Sequence, residues 1–227
     1  MTVTWLGQAG LLFESEGRRI IIDPYLSDSV GKVNPANKRR VPVDPRFFDV
    51  EPDVLIFTHD HLYHFDPESA EVYLGRSEKK ITVLDPNSVW QKARQYQNGH
   101  NYVLFGEGVE WTEGNLRFFA VPACHSDPDA IGVVITDLSE GKTYYVTGDT
   151  LYRRDIPEAL PQKPDVIFLP INGAGNNMNS ADASRFAEAV GADVAVPLHF
   201  GLFDEIDPAI FIHPGRVIPE FYQIIKL

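Results

Sequence analysis

The sequence predicts an α/β fold in which two mixed β-sheets pack together with a few amphipathic helices outside. Three observations predict it. The N-terminal residues alternate short apolar runs with glycine-containing turns, as a strand meander does. Residues 101–147 repeat that pattern as a second β-rich block. Around this block, apolar runs short enough for strands alternate with segments of helical period. At 227 residues, one domain spanning 1–227 with a substantial core is expected.

Taken in order, residues 3–7 and 10–14 read as strands around a tight turn, and Glu16-Gly17 leads into a third at 18–23, ended by Pro24. Residues 24–52 hold repeated prolines and little periodicity, which predicts a long loop. The run Asp53-Val54-Leu55-Ile56-Phe57 predicts a buried strand. A helix is expected at 67–77, with Asp66 as N-cap and Pro67 at its first position. A strand at 81–84 follows, then a helix from 88 to about 97, with Asn87 or Ser88 as N-cap and Gly99 beyond its end.

The β-rich block should hold strands at 101–105, 109–112, 115–121, 130–137 and 142–147. A strand at 165–169, a helix at 180–190 and a strand at 193–197 come next. The helix carries Ala183, Phe186, Ala187 and Val190 on one stripe and is closed by Gly191. Two last strands are expected near 216–218 and 222–226.

Three of the seven histidines fall within Thr58-His59-Asp60-His61-Leu62-Tyr63-His64-Phe65-Asp66. A strand carries residues i and i+2 on one side, so His59 and His61 can face one ion where extended geometry continues past Phe57. A lone histidine is most often a hydrogen-bonded core or surface residue. Three at this spacing after a buried strand predict a metal site. The other candidates each stand at the exit of an expected strand, where α/β architectures gather functional groups. They are His125, Asp149 after Gly148, and His199. Each alone would be an ordinary loop residue, but together they complete a site that the first cluster cannot. His100 and His213 read as surface residues and Cys124 as packing.

With 32 acidic against 20 basic residues the chain carries −12. That argues against nucleic-acid and anionic-membrane partners and for a small-molecule substrate. An anionic substrate stays open, because a bound divalent cation reverses the local sign. A single cysteine excludes an intramolecular disulfide and a cysteine-based zinc finger. No signal-peptide pattern and no apolar run near ~20 residues is present, so a cytoplasmic protein is expected. Oligomeric state, a homo-oligomer included, is left open.

The order His59-x-His61-x-x-His64, then His125, Asp149 and His199, resembles the metallo-β-lactamase superfamily of metal-dependent hydrolases. The likeness extends to Trp5-Leu6-Gly7-Gln8-Ala9-Gly10, Asp23-Pro24-Tyr25-Leu26-Ser27 and Arg40-Val41-Pro42-Val43-Asp44-Pro45. It continues through His125-Ser126-Asp127, Gly148-Asp149-Thr150, Pro170-Ile171-Asn172-Gly173 and Pro197-Leu198-His199-Phe200-Gly201. These segments look like the branch containing L-ascorbate-6-phosphate lactonase. The resemblance implies a four-layer αββα sandwich with ligands on loops at one edge. It also implies one ion on His59, His61 and His125, another on His64 and His199, and Asp149 bridging the two. The family motif is His-x-His-x-Asp-His, and Tyr63 stands where its aspartate would be. A phenol has a pKa near ~10 and replaces a carboxylate ligand poorly, so a strong first site and a weakened second are expected unless Asp60 or Asp66 moves in.

A cation held by neutral imidazoles lowers a bound water's pKa towards ~7. The expected reaction is therefore hydrolysis of a lactone, ester or phosphorylated substrate by a metal-bound hydroxide. Asp149 would orient the hydroxide and accept a proton, and Tyr63 would hydrogen-bond the developing oxyanion. Asn172 and Arg40, with Arg39 beside it, are the candidate substrate contacts. The expected cofactor is manganese or zinc, one or two ions per chain. A phosphodiesterase on the same fold, or a metal-binding protein silenced by Tyr63, are the alternatives.

Overall fold

In β3 (Arg18–Ile22) Ile20 and Ile22 join one apolar cluster and Ile21 another, because a strand turns successive side chains to opposite faces. The same alternation in β4 (Val54–Ile56) sends Val54 and Ile56 one way and Leu55 the other. Both faces of these strands are covered, which is why their sequences read as continuous apolar runs. The computed structural model describes residues 1–96 and 98–227.

One sheet runs in the order β1 (Thr2–Gly7), β2 (Gly10–Ser15), β3, β4, β5 (Thr82–Asp85) and β6 (Asn101–Leu104). Its first pairings are antiparallel and those from β3 to β6 parallel. The other contains β7 (Glu110–Glu113), β8 (Leu116–Pro122), β9 (Ile131–Asp137), β10 (Lys142–Val146), β11 (Val166–Pro170) and β12 (Val194–Leu198), in reverse order across the sheet. It too begins antiparallel and ends parallel. Inward residues of both sheets, among them Trp5, Phe13, Phe118, Ile135 and Phe168, share one core. Two mixed six-stranded sheets with few helices are the expected sandwich.

The helices are short: α1 (Ser29–Val33), α2 (Pro67–Ala70), α3 (Asn87–Ala93), α4 (Asp155–Glu158) and α5 (Ser180–Val190). Helix α5 has the predicted bounds and buries Ala183, Phe186, Ala187 and Val190. Asp66 caps α2 as expected, accepting from the Ser69 amide. The expected helix at 67–77 is α only as far as Ala70, and a π turn over Glu71–Gly75 continues it. Pro86, not Asn87 or Ser88, occupies the N-cap position of α3 and makes no side-chain cap, and the helix's expected end near Gln97 lies outside the described residues. No described helix is long and apolar enough to cross a membrane.

Three expectations are corrected. The 24–52 loop contains α1 and two 3-10 turns, Pro35–Asn37 and Pro45–Asp49, whose prolines start turns rather than merely breaking structure. The strands expected near 216–218 and 222–226 are single bridges, Ala195 with Arg216 and Thr4 with Ile224. Pro214 and Pro219 limit the pairing there, since proline has no amide hydrogen to donate. His100 is buried, not on the surface, with Nδ1 accepting from the Ile81 amide and Nε2 3.0 Å from the Leu74 carbonyl.

Candidate metal centre

All six predicted ligands leave the C-terminal ends of strands along one edge of the sandwich. His59, His61 and His64 follow β4 of the first sheet, whereas His125, Asp149 and His199 follow β8, β10 and β12 of the second. Past Ile56 the chain turns, and the Phe65 and His64 amides both bond the His61 carbonyl. That turn brings His64 beneath His59, with ring centroids 3.9 Å apart. Gly148 permits the tight approach to Asp149: with φ +62°, any Cβ there would sit 2.7 Å from the Ile131 carbonyl.

Two donor sets result. His59 Nε2 lies 3.0 Å from His61 Nδ1, which lies 3.0 Å from His125 Nε2. Donor atoms of these three residues fall within 4.8 Å of one another, as do those of His59, His64 and Asp149. His199 Nε2 stands 2.8 Å from Asp149 Oδ1 and His64 Nε2 3.3 Å from Asp149 Oδ2. Neither ring nitrogen nor Asp149 Oδ1 makes a hydrogen bond. Their polar axes miss one another, as those of ligands around a common ion do.

The outward nitrogens explain this aim. A ring that donates from one nitrogen keeps its lone pair on the other. His64 Nδ1 donates to Asp23 Oδ2 at 2.7 Å, and His125 Nδ1 to the Asn176 carbonyl at 3.3 Å. Thr58 Oγ1 gives its own hydrogen to Asp23 and so accepts from His59 Nδ1 at 3.1 Å. Ser126 Oγ stands 3.3 Å from His61 Nε2. His199 is the exception to this rule, because Gln8 Nε2 donates to its Nδ1 at 2.9 Å. Each of the five histidines thus has a partner on the nitrogen that faces away from the centre.

Burial, then the neighbouring His64, holds His59 and His61 below the usual imidazole range, and burial does the same for His125. All three stay neutral, the state that binds a cation. Burial would also lower His64, but the Asp149 and Asp23 carboxylates outweigh it and raise the ring to about 10. Burial opposes ionisation of Asp149, yet the His199 and His64 rings pull it well below the carboxylate range. A buried anion among imidazoles, with orphaned ring nitrogens, fits a divalent cation of the borderline N/O kind.

A family described as a Beta-lactamase superfamily domain matches residues 2–199. The chain belongs to the β-lactamase superfamily. Among curated relatives, the UPF0173 metal-dependent hydrolase of Ligilactobacillus salivarius is 30% identical over 213 residues, covering 91% of this chain and 88% of its own. That of Aeropyrum pernix is 26% identical over 224 residues, with 92% and 87% covered. The chain therefore joins the UPF0173 metal-dependent hydrolases within the superfamily. Its fold is shared with an isothiocyanate hydrolase from Delia radicum gut bacteria, at TM-score 0.77 and 19% identity over 100% of this chain and 99% of that one. It is shared also with the metallo-β-lactamase fold protein YhfI of Bacillus subtilis, at TM-score 0.72, 19% identity and 98% of both chains.

Against this β-lactamase-superfamily frame, Tyr63 lies beside the donors, its ring 4.9 Å from His64 and 5.9 Å from His199. Burial and the Asp149 charge raise its pKa, so the hydroxyl stays neutral. Both acids considered as replacements for the missing aspartate are engaged elsewhere. Asp66 accepts from Ser69 and Ser27, and Asp60 pairs with Lys92 at 2.6 Å. Arg39 is a strut, donating to the Tyr25, Ser27 and Val41 carbonyls and to Tyr222. Arg40 is exposed and paired with Glu205 at 2.5 Å. Asn172 bridges Asn179 through its backbone, and its buried Oδ1 has no partner. Sequence reasoning gave Gln8 and Asp23 no role at the site, and it placed Asn177 only within the run Gly173-Ala174-Gly175-Asn176-Asn177 as a candidate pocket wall.

Proposed function

We propose that the chain hydrolyses a small, uncharged lactone or ester, lactonase-like in reaction, with zinc or manganese as its ion. The observation that carries this is the set of neutral imidazole nitrogens converging 3.0 Å apart, each ring anchored on its far side. A divalent ion bound there supplies Lewis acidity and makes a water acidic enough to react near neutral pH. Asp149 Oδ2 is held by Asn177 at 2.9 Å, which leaves Oδ1 to take the water's proton as the water oxygen attacks the carbonyl carbon. That proton passes to the leaving alkoxide as the acyl C–O bond breaks. The Tyr63 hydroxyl donates to the oxygen on which charge develops.

The uncharged substrate follows from the neighbouring cations. Arg39 is used within the fold, Arg40 is neutralised by Glu205, and Lys92 by Asp60. Leu62, Tyr63 and Phe203 cluster around buried Leu202 and offer an apolar wall instead.

The ion count is expected to be asymmetric. His59, His61 and His125 form the tight set, whereas the His64 and His199 side shares Asp149 and carries Tyr63 where a second carboxylate would stand. Elemental analysis should find near one metal per chain, rising towards two in Tyr63→Asp. The loaded wild type should turn over neutral lactones and esters faster than phosphorylated counterparts. Absence of metal after refilling would sink the hydrolase reading, and faster release of nucleotide from a generic diester would favour a phosphodiesterase. Tight metal with no turnover on any panel would mark a metal-binding protein silenced at Tyr63.

A further inference from the structure

The loop between β11 and α5 reaches back over the metal centre. Asn172 and Asn179 close it by a backbone bridge, and the Gly173 amide bonds the Met178 carbonyl at 3.0 Å. The Met178 amide in turn bonds the Thr150 carbonyl at 2.9 Å, which pins the loop to the segment just after Asp149. Gly173, Gly175 and Asn176 all take left-handed backbone, with φ of 63°, 64° and 63°. Glycine and asparagine are the residues that adopt this conformation most readily, so the sequence suits so tight a path.

Two successive residues of the loop touch donors that come from different strands. The Asn176 carbonyl receives His125 Nδ1, and the Asn177 side chain donates from Nδ2 to Asp149 Oδ2. Asn177 is 3% exposed, and its own Oδ1 has no partner. Burying an amide with one end unsatisfied is unfavourable, so its retention is poorly explained by packing alone. Donation into the Asp149 carboxylate explains it.

We propose that this loop is a positioning clamp for the metal centre and that Asn177 is its principal positioning residue. It holds Asp149 Oδ2 while the preceding carbonyl fixes the tautomer of His125, and so sets the angle between a donor from β8 and one from β10. The clamp acts through Asp149 and His125 and touches neither ion nor substrate. The inference rests on the metal-centre reading given above.

The test is a titration of the metal-free chain with Co(II), followed by Zn(II) competition, on wild type, Asn177→Ala and Asn177→Leu. Visible Co(II) bands report donor geometry directly. Both variants should bind metal about 10- to 100-fold more weakly, as losses of outer partners do. Their Co(II) bands should shift, while the melting temperature of the metal-free protein stays close to wild type. Asn177→Leu keeps roughly the volume and removes the donor without adding a charge beside Asp149, which separates the hydrogen bond from packing. Unchanged affinity and bands in both variants would overturn the proposal. A metal-free melting temperature lowered in both, with bands unchanged, would assign Asn177 to the fold alone and also overturn it. Failure of the metal reading shows separately, as a wild type that binds no Co(II).

Discussion

Asp85 ends β5 fully buried, and among the described residues its carboxyl has no side-chain partner, only the Phe57 backbone nearby. Burial, reinforced by the Asp23 charge, pushes it well above the usual carboxylate range. In the unfolded chain the same group ionises near ~3.9. Above that pH the folded state holds one more proton than the unfolded state, so the group's contribution to stability falls as pH rises. Asp85→Asn, which keeps the shape and removes the ionisation, should therefore raise the melting temperature at pH 8 and change it little at pH 4. Equal shifts at both pH values would show that ionisation is not the cause. The site residues display the converse logic. Asp23 is as deeply buried but satisfied, receiving the Thr58 amide at 2.8 Å, Thr58 Oγ1 at 2.6 Å and His64. Gln8, Asp23 and His199 all adopt positive φ, at 50°, 46° and 58°. Glu16 and Tyr222 share this conformation away from the centre, so positive φ accompanies the site without marking it alone.

Helix α5 shows how far local rules reach. Its stripe and its Gly191 terminus are legible within the segment, and the structure adds Asn179 as its cap. The Asn179 side chain accepts from the Asp182 amide at 2.9 Å, and Gly191 sits at φ 75°. Asn179→Ala should cost about 1 kcal/mol, a fall of about 2–4 °C in melting temperature for a chain of this size. No change on calorimetry would mean that water replaces the cap without loss. Where an element depends on distant partners, local reading fell short. The C-terminal tail follows β1 through the Tyr222 and Ile225 amides without forming a strand, because only isolated positions pair. His100 looked like a turn residue, yet it fills a gap between Leu74 and Ile81 that exists only after folding.

At the scale of the molecule the donor set joins the two sheets, three ligands following β4 and three following strands of the other sheet. A cation bound there cross-links the sandwich and favours the folded chain over the unfolded one. Binding at a thousand times the dissociation constant contributes about 4 kcal/mol, which corresponds to roughly 8–16 °C here. Chelation should lower the melting temperature by that order, and refilling should restore it. An unchanged melting curve after verified metal removal would separate the centre from the fold's stability. The net charge of −12 also favours cation uptake over anion binding.

The amino-acid sequence by itself determined the two-sheet architecture and most strand positions, and it singled out the six candidate donors that the fold brings to one place. Those signals are carried by neighbours: period-2 alternation, helix caps, and histidines two and three residues apart after an apolar run. Tertiary structure alone decided which nitrogen of each ring faces the centre, because that depends on partners such as Gln8, which meets His199 across 191 positions of chain. It also decided that Arg39 is a strut, that Arg40 is paired with Glu205, and that Asn177 reaches Asp149. Hydrogen bonds between residues remote in sequence follow from strand order and loop path, and no local pattern encodes either.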